Sequence, residues 1–235
     1  MPAPISVVIP TWNAAATLPD TLAPLVEGAG AGLIRELIVS DGGSSDDTCA
    51  IARATGAEVV SGPQGHGGQI ARGLAAARAP WRLVIEADTW LAPGWTGPVG
   101  DHLADPDRAA HFKLAFRATG LAPRLVAGWA NLRSRQLGLP YGDQGLLIHR
   151  DLLAARGGYP DLPVMADVAM ARALRGVLCE RPVVAQVSAA RYRDAGWLRR
   201  GSGDLWRLAR YLGGAAPERL AAGHSPRVAS SDLRN

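Results

Sequence analysis

Glu86-Ala87-Asp88 sets two carboxylates at i and i+2 behind the apolar run Leu83-Val84-Ile85. At a strand end that spacing puts both on one face, close enough to share a hard cation whose shell substrate phosphates complete. Two solvated acids in a loop would leave the same pattern. Asp41 closes another apolar run and opens the turn Asp41-Gly42-Gly43-Ser44, whose glycines admit a close ligand. Its carboxylate could accept hydrogen bonds from a base or ribose, or the stretch could be only a turn and a helix cap. Asp167 is a lone acid among Met165, Ala166, Val168 and Ala169 at the start of a predicted helix. A carboxylate there can act as a general base or simply favour the helix N-terminus. Asp143-Gln144 offers an acceptor and an amide that could orient a hydroxylated molecule, although turn chemistry explains it as well. Arg191, beside Tyr192, could meet an anion or serve as surface charge.

These residues need strand ends to hold them, and the sequence supplies the strands. Runs at 5–9, 36–40, 57–60 and 83–85 alternate with helical spacing at 17–27, 46–55 and 67–78. Strands alternating with helices of that length predict βαβ crossovers and a doubly wound, mostly parallel α/β sheet with helices on both faces. Ligands of such sheets bind outside the carboxyl ends of the strands. Thr11 and Asn13 follow the first strand, Asp41 the second, the segment from Gly62 to Gln69 the third, and Glu86 and Asp88 the fourth. Four polar strand ends therefore converge on one predicted pocket. The Gly-rich segment lacks the Gly-Lys-Ser or Gly-Lys-Thr ending of a phosphate loop and is not a GxGxxG turn after the first strand, so it reads as a flexible loop over the pocket mouth.

Beyond residue 95 the alternation loosens, with helices near 97–104, 121–137 and 165–175 and strands near 110–117, 146–149 and 182–187. No composition shift marks a linker, which predicts a single domain over 1–220. Its nucleotide-binding half is about 1–95, its acceptor half about 96–195, and a polar tail occupies 221–235. A C-terminal helix at 197–212 carries Trp197, Trp206 and several leucines among arginines. That stripe could pack on the sheet or lie on an anionic membrane face.

The chain has 235 residues, 48% hydrophobic and 20% charged, which excludes whole-chain disorder and leaves room for one full core. A net charge of +4 spread along the sequence makes no nucleic-acid patch. Cys49 and Cys179 are too few for a disulfide framework or a four-ligand zinc site. With no long apolar window, a cytoplasmic protein is expected.

In order and spacing these motifs resemble the family-2 glycosyltransferases of the A-type fold. Val-Val-Ile-Pro-Thr-Trp-Asn at 7–13 resembles the family's opening strand, Ile-Val-Ser-Asp-Gly-Gly-Ser at 38–44 its nucleotide turn, and Glu-Ala-Asp-Thr at 86–89 its metal-binding acidic motif. Gly-Asp-Gln at 142–144, Gly-Gly-Tyr-Pro at 157–160 and Met-Ala-Asp-Val at 165–168 fall where acceptor and catalytic-base motifs lie. The Gly-Asp-Gln and Ser-Ala-Ala-Arg segments resemble a small bacterial branch sometimes associated with arsenosugar biosynthesis. The resemblance implies an inverting transfer from a nucleotide-sugar donor to a small-molecule or lipid-linked acceptor. It assigns Pro10, Thr11, Asn13, Asp41 and Gln69 to the nucleotide, and Asp88 with Glu86 to Mg²⁺ or Mn²⁺. Asp167 becomes the base, and Asp143, Gln144 and Arg191 take the acceptor side. Ala14, Ala71 and Ala166 stand where polar residues are usual, and Glu86 where the branch has His, which implies altered substrate choice. A nucleotide-sugar-binding protein that has lost its chemistry is the alternative. A nucleotidyltransferase would need a basic Gly-rich loop after the first strand, and Thr11-Trp12-Asn13 supplies none.

Overall fold

The computed structural model describes residues 2–221. The β-branched run at the N-terminus forms β1 (Ile5–Thr11), flanked by β2 (Ile34–Asp41) and β4 (Trp81–Val84), with β3 (Glu58–Ser61) outside β2. All three pairings are parallel. Along β1, Ile5, Val7 and Ile9 enter one apolar cluster with Leu83 and Trp95, while Val8 enters another with Ile38 and Ile70. Both faces are buried, and this is why the strand reads as a continuous apolar run instead of an alternating one.

The second half extends the same sheet with β5 (Thr89–Leu91), β6 (Ala109–Phe116), β7 (Leu146–His149) and β8 (Leu178–Val187), in the order β3-β2-β1-β4-β7-β6-β8-β5. β7 is antiparallel to β4 and β6, β5 is antiparallel to β8, and β6 and β8 run parallel. The sheet is thus mostly parallel and mixed in its second half. β8 starts four residues earlier than the sequence suggests. Pro182 falls within the register shift between His111 and Lys113, where a strand tolerates a missing amide hydrogen. β5, at three residues, is too short to leave a periodic signal.

Two other differences have local causes. The expected helix at 17–27 is two short helices, Leu18–Leu22 and Leu25–Gly30, parted at Pro24, which has no amide to continue the ladder. The Gly-rich segment is only partly a loop, because His66–Ala76 is helical. Its glycines are there for close packing: a Cβ on Gly67 would lie 2.5 Å from the Pro160 carbonyl oxygen and 2.6 Å from the Leu162 nitrogen. On Gly73 it would lie 2.5 Å from Val8 Cγ1, because this helix lies directly on β1. Gly73→Ala is expected to cost about 1–3 kcal/mol through overpacking, read as a lower denaturation midpoint by circular dichroism.

Candidate active site

Strand ends, helices and connecting segments from both halves of the chain deliver residues to one open cavity of about 310 Å³, near the small end of the range for ligand pockets. β1 supplies Pro10 and Thr11, the helix His66–Ala76 supplies His66 and Gln69, and the turn after β4 supplies Glu86 and Asp88. Tyr141 and Asp143 come from the segment before β7, Asp167 from the helix Ala166–Ala173, and Arg191 from the segment after β8.

The nucleotide-side residues divide into two groups. Thr11 and Gln69 are buried and line the cavity. The Gln69 amide donates to the carbonyls of Thr11 (2.6 Å) and Ser40 (3.2 Å) and accepts from the Gly65 amide at 3.1 Å, tying the ends of β1 and β2 to the helix. Asp41 and Asn13 are not among the residues lining the cavity. Asp41 instead accepts from the Gly43 and Ser44 amides and from the Ser44 and Thr11 hydroxyls. Asn13, in a left-handed conformation at φ 48°, accepts from the Ser45 amide and donates its own amide to Ser44. The physical reason is local: the turn's amides reach these side chains before any ligand does, so both build the wall behind the pocket.

Burial works to raise the Asp41 carboxyl, but the hydrogen bonds from Ser44, Gly43 and Thr11 outweigh it and hold the group below the ordinary carboxylate range. A lowered folded pKa stabilises the fold above the unfolded value, and that contribution is lost as pH falls through the folded value. Below a pH of about 4 the wild type should therefore lose stability faster than Asp41→Asn. At neutral pH the variant should unfold about 2 kcal/mol more easily, and denaturant titrations across pH check both statements.

Glu86 and Asp88 both line the cavity. Strand geometry ends at Val84, and the two carboxylates sit in a turn with different partners. Glu86 lies 2.6 Å from His66 Nε2, while Asp88 accepts from the Arg191 guanidinium at 2.6 Å. Gly142 is required beside Glu86, since a Cβ there would sit 2.5 Å from its Oε1. Among the described residues no group of three or more His, Cys, Asp or Glu side chains is arranged to hold a metal. The cavity nonetheless suits a divalent cation that arrives with phosphates. The carboxylates of Glu86, Asp88, Asp143, Asp167 and Asp204 face the guanidiniums of Arg191, Arg200 and Arg207, five negative charges against three positive. Asp88 is 9% exposed and already takes a cationic partner.

Asp167, which also lines the cavity, accepts from the Val168 amide through one oxygen and from the Gly142 amide through the other, both at 2.8 Å. These bonds fix the plane of the carboxylate at the pocket wall. Asp143 lines the cavity, but Gln144 does not: it is fully buried, accepts from the Ser134 hydroxyl at 2.5 Å and donates to the Phe112 carbonyl at 3.0 Å. Its expected acceptor-side role is corrected to bracing β6 against the helix Leu121–Leu137. Gly145, at φ 63°, turns the chain so that neighbours in Gly-Asp-Gln face opposite ways. The sequence reading missed Tyr141, Arg200, Asp204 and Arg207 as lining groups. Burial pushes the Tyr141 hydroxyl well up, so it stays neutral against the Arg133 guanidinium stacked 3.5 Å from its ring centre.

The family model for glycosyl transferase family 2 matches residues 6–126, the part of the chain that forms the parallel sheet and the cavity's donor wall. The chain belongs to that family. Over 96 residues this glycosyltransferase is 42% identical to the glucosyl-3-phosphoglycerate synthase of Mycobacterium tuberculosis, a stretch covering 36% of this chain and 28% of the synthase. It is 38% identical over 91 residues to an uncharacterized glycosyltransferase of the same organism, covering 38% of this chain and 39% of the relative. The chain thus aligns with well under half the length of either. The synthase's structure with Mg²⁺ and uridine diphosphate superposes with a TM-score of 0.53 at 26% identity, covering 79% of this chain and 70% of that one. Its complex with Mn²⁺, UDP-glucose and phosphoglyceric acid gives 0.52 at 27%, with the same coverage.

Proposed function

We propose that this glycosyltransferase moves a sugar, with inversion, from a nucleoside diphosphate donor to a hydroxyl of a small or lipid-linked acceptor. One observation carries the reading: a single cavity gathers Thr11 at the end of β1, Gln69 from the helix His66–Ala76, Asp88 beyond β4, and Asp167 from the helix Ala166–Ala173. Pro10, Thr11 and Gln69 hold the nucleoside end, with Asp41 and Asn13 shaping the wall behind them. Asp88, with Glu86 as the neighbouring acid, would hold Mg²⁺ or Mn²⁺ when the donor is bound. A divalent cation bound there neutralises the charge that grows on the departing phosphate.

Asp167 takes the proton from the acceptor hydroxyl as its oxygen attacks the anomeric carbon. The carbon–oxygen bond to the diphosphate breaks with its electron pair going to the nucleotide, so attack from the opposite face inverts the centre. Asp143 lies on the acceptor side of the cavity, and Arg191 is placed to pass from Asp88 to a phosphate oxygen. Uridine diphosphate sugars are the first donors to test, since the synthase structures that superpose hold uridine diphosphate or UDP-glucose.

The test is release of uridine diphosphate from UDP-glucose with Mn²⁺, alone and with an acceptor panel that includes 3-phosphoglycerate. Release that rises with one acceptor, with the product of opposite anomeric configuration, supports the proposal. Donor binding without release under any condition would instead favour the silent nucleotide-sugar binder.

A further inference from the structure

Among the described residues nine large hydrophobic side chains are exposed, and eight of them lie on two helices, Leu121–Leu137 and Trp197–Leu212. On the first, Leu121, Leu125, Trp129 and Leu132 follow one another at intervals of three or four residues and so form one stripe, with Leu121 71% exposed. Ala127, Ala130 and Ser134 on the other side face the protein. On the second, Leu205, Trp206 and Leu212 are exposed, Trp206 by 68%, while Leu208 is buried. The two helices are in contact. An apolar stripe of this kind on the surface of a folded chain marks something it docks against.

The charges beside the stripes say what that is. Arg124 and Arg135 flank the first stripe, and Arg199 and Arg210 the second, all exposed, although Arg135 is paired with Glu180 at 3.1 Å. Leu121–Leu137 contains no acidic residue. Trp197–Leu212 contains one, Asp204, which lines the cavity and pairs with Arg207 at 3.0 Å. Leucine and tryptophan rimmed by arginine, with Asp204 turned to the cavity as the one acid on the two helices, match the apolar and anionic layers at the surface of an acidic bilayer. A second copy of the same face would bring arginines against arginines, so self-association is the poorer match. No helix among the described residues is long and apolar enough to cross a membrane.

We infer that these two helices form a docking surface for an anionic lipid bilayer, on which the chain lies peripherally. Arg200, Asp204 and Arg207 place the second helix at the cavity wall, so docking sets the cavity beside the lipid. That last consequence rests on the transferase reading and favours an acceptor hydroxyl carried by a lipid, whereas the docking itself does not depend on that reading.

The test is co-sedimentation of the full chain with vesicles of phosphatidylcholine alone or mixed with phosphatidylglycerol, at low and high salt. Binding to the anionic vesicles that weakens with salt is expected. It should fall by about tenfold or more in Leu125→Glu/Trp129→Glu and in Trp206→Glu/Leu212→Glu, with circular dichroism spectra unchanged. Absence of binding to anionic vesicles at low salt overturns the inference. So does light scattering that finds a wild-type dimer which the same substitutions convert to a monomer, because the face would then be a protein interface. Uridine diphosphate binding, measured separately, reports on the donor site and is expected to be unchanged in both double variants.

Discussion

Asp167→Asn is expected to lower kcat by about 10²–10⁴-fold while changing donor affinity by no more than about twofold. The amide keeps the size of the carboxylate but cannot take the acceptor's proton. It also sets an NH₂ group against either the Gly142 or the Val168 amide, both of which donate to Asp167 now. A modest loss of stability should therefore accompany the loss of rate. Single-turnover measurements with saturating donor separate the chemical step from binding. A kcat within a few fold of wild type would remove Asp167 from the reaction and leave it as the group that anchors the Gly142 turn.

Asp88→Ala should have the second large effect, on the response to metal. In the wild type, Mn²⁺ is expected to tighten uridine diphosphate binding by about 100-fold, a few kcal/mol of charge neutralisation, and in the variant by less than about threefold. The reason lies in the pairing of Asp88 with Arg191 at 2.6 Å. Removing the carboxylate takes away a metal ligand and also releases a guanidinium next to the diphosphate, so metal-free binding should survive or improve slightly. Arg191→Ala should do the reverse, weakening metal-free binding while leaving the metal response. Equal metal responses in wild type and Asp88→Ala would place the cation elsewhere or nowhere.

The donor half of the molecule was legible because its physics is local and repetitive. Buried parallel strands are continuous apolar runs, and the polar residues that end them fall at the pocket by topology alone, as Thr11, Glu86 and Asp88 do. What the strand pattern could not show is where a side chain turns once it leaves the strand. Asp41 and Asn13 stand at the right ends but are consumed by the amides of their own turn. Glu86 and Asp88 take different partners, His66 and Arg191, because the chain has left β geometry by the time it reaches them. Gln144 follows a cavity-lining acid at one remove and faces the core, a reversal set by a three-residue helical turn and a left-handed Gly145.

The acceptor wall was harder to read because it is assembled over long range. Arg200, Asp204 and Arg207 reach a pocket built mostly from residues more than a hundred positions earlier, and nothing in the periodicity of their helix distinguishes a wall from a surface. The Gly-rich segment misled for a related reason. Glycine signals flexibility in isolation, whereas Gly67 and Gly73 are needed because the segment around Leu162 and the strand β1 press against a helix.

The central claim is that the convergent strand ends form a metal-assisted donor site for a nucleoside diphosphate sugar. Calorimetric titration of the wild type with uridine, guanosine and thymidine diphosphates, each with and without Mn²⁺, tests it most directly. Saturable binding of one of them that strengthens with Mn²⁺ is the predicted result. Failure of all three to bind under either condition would contradict the account and leave a family-2 fold whose cavity serves another purpose.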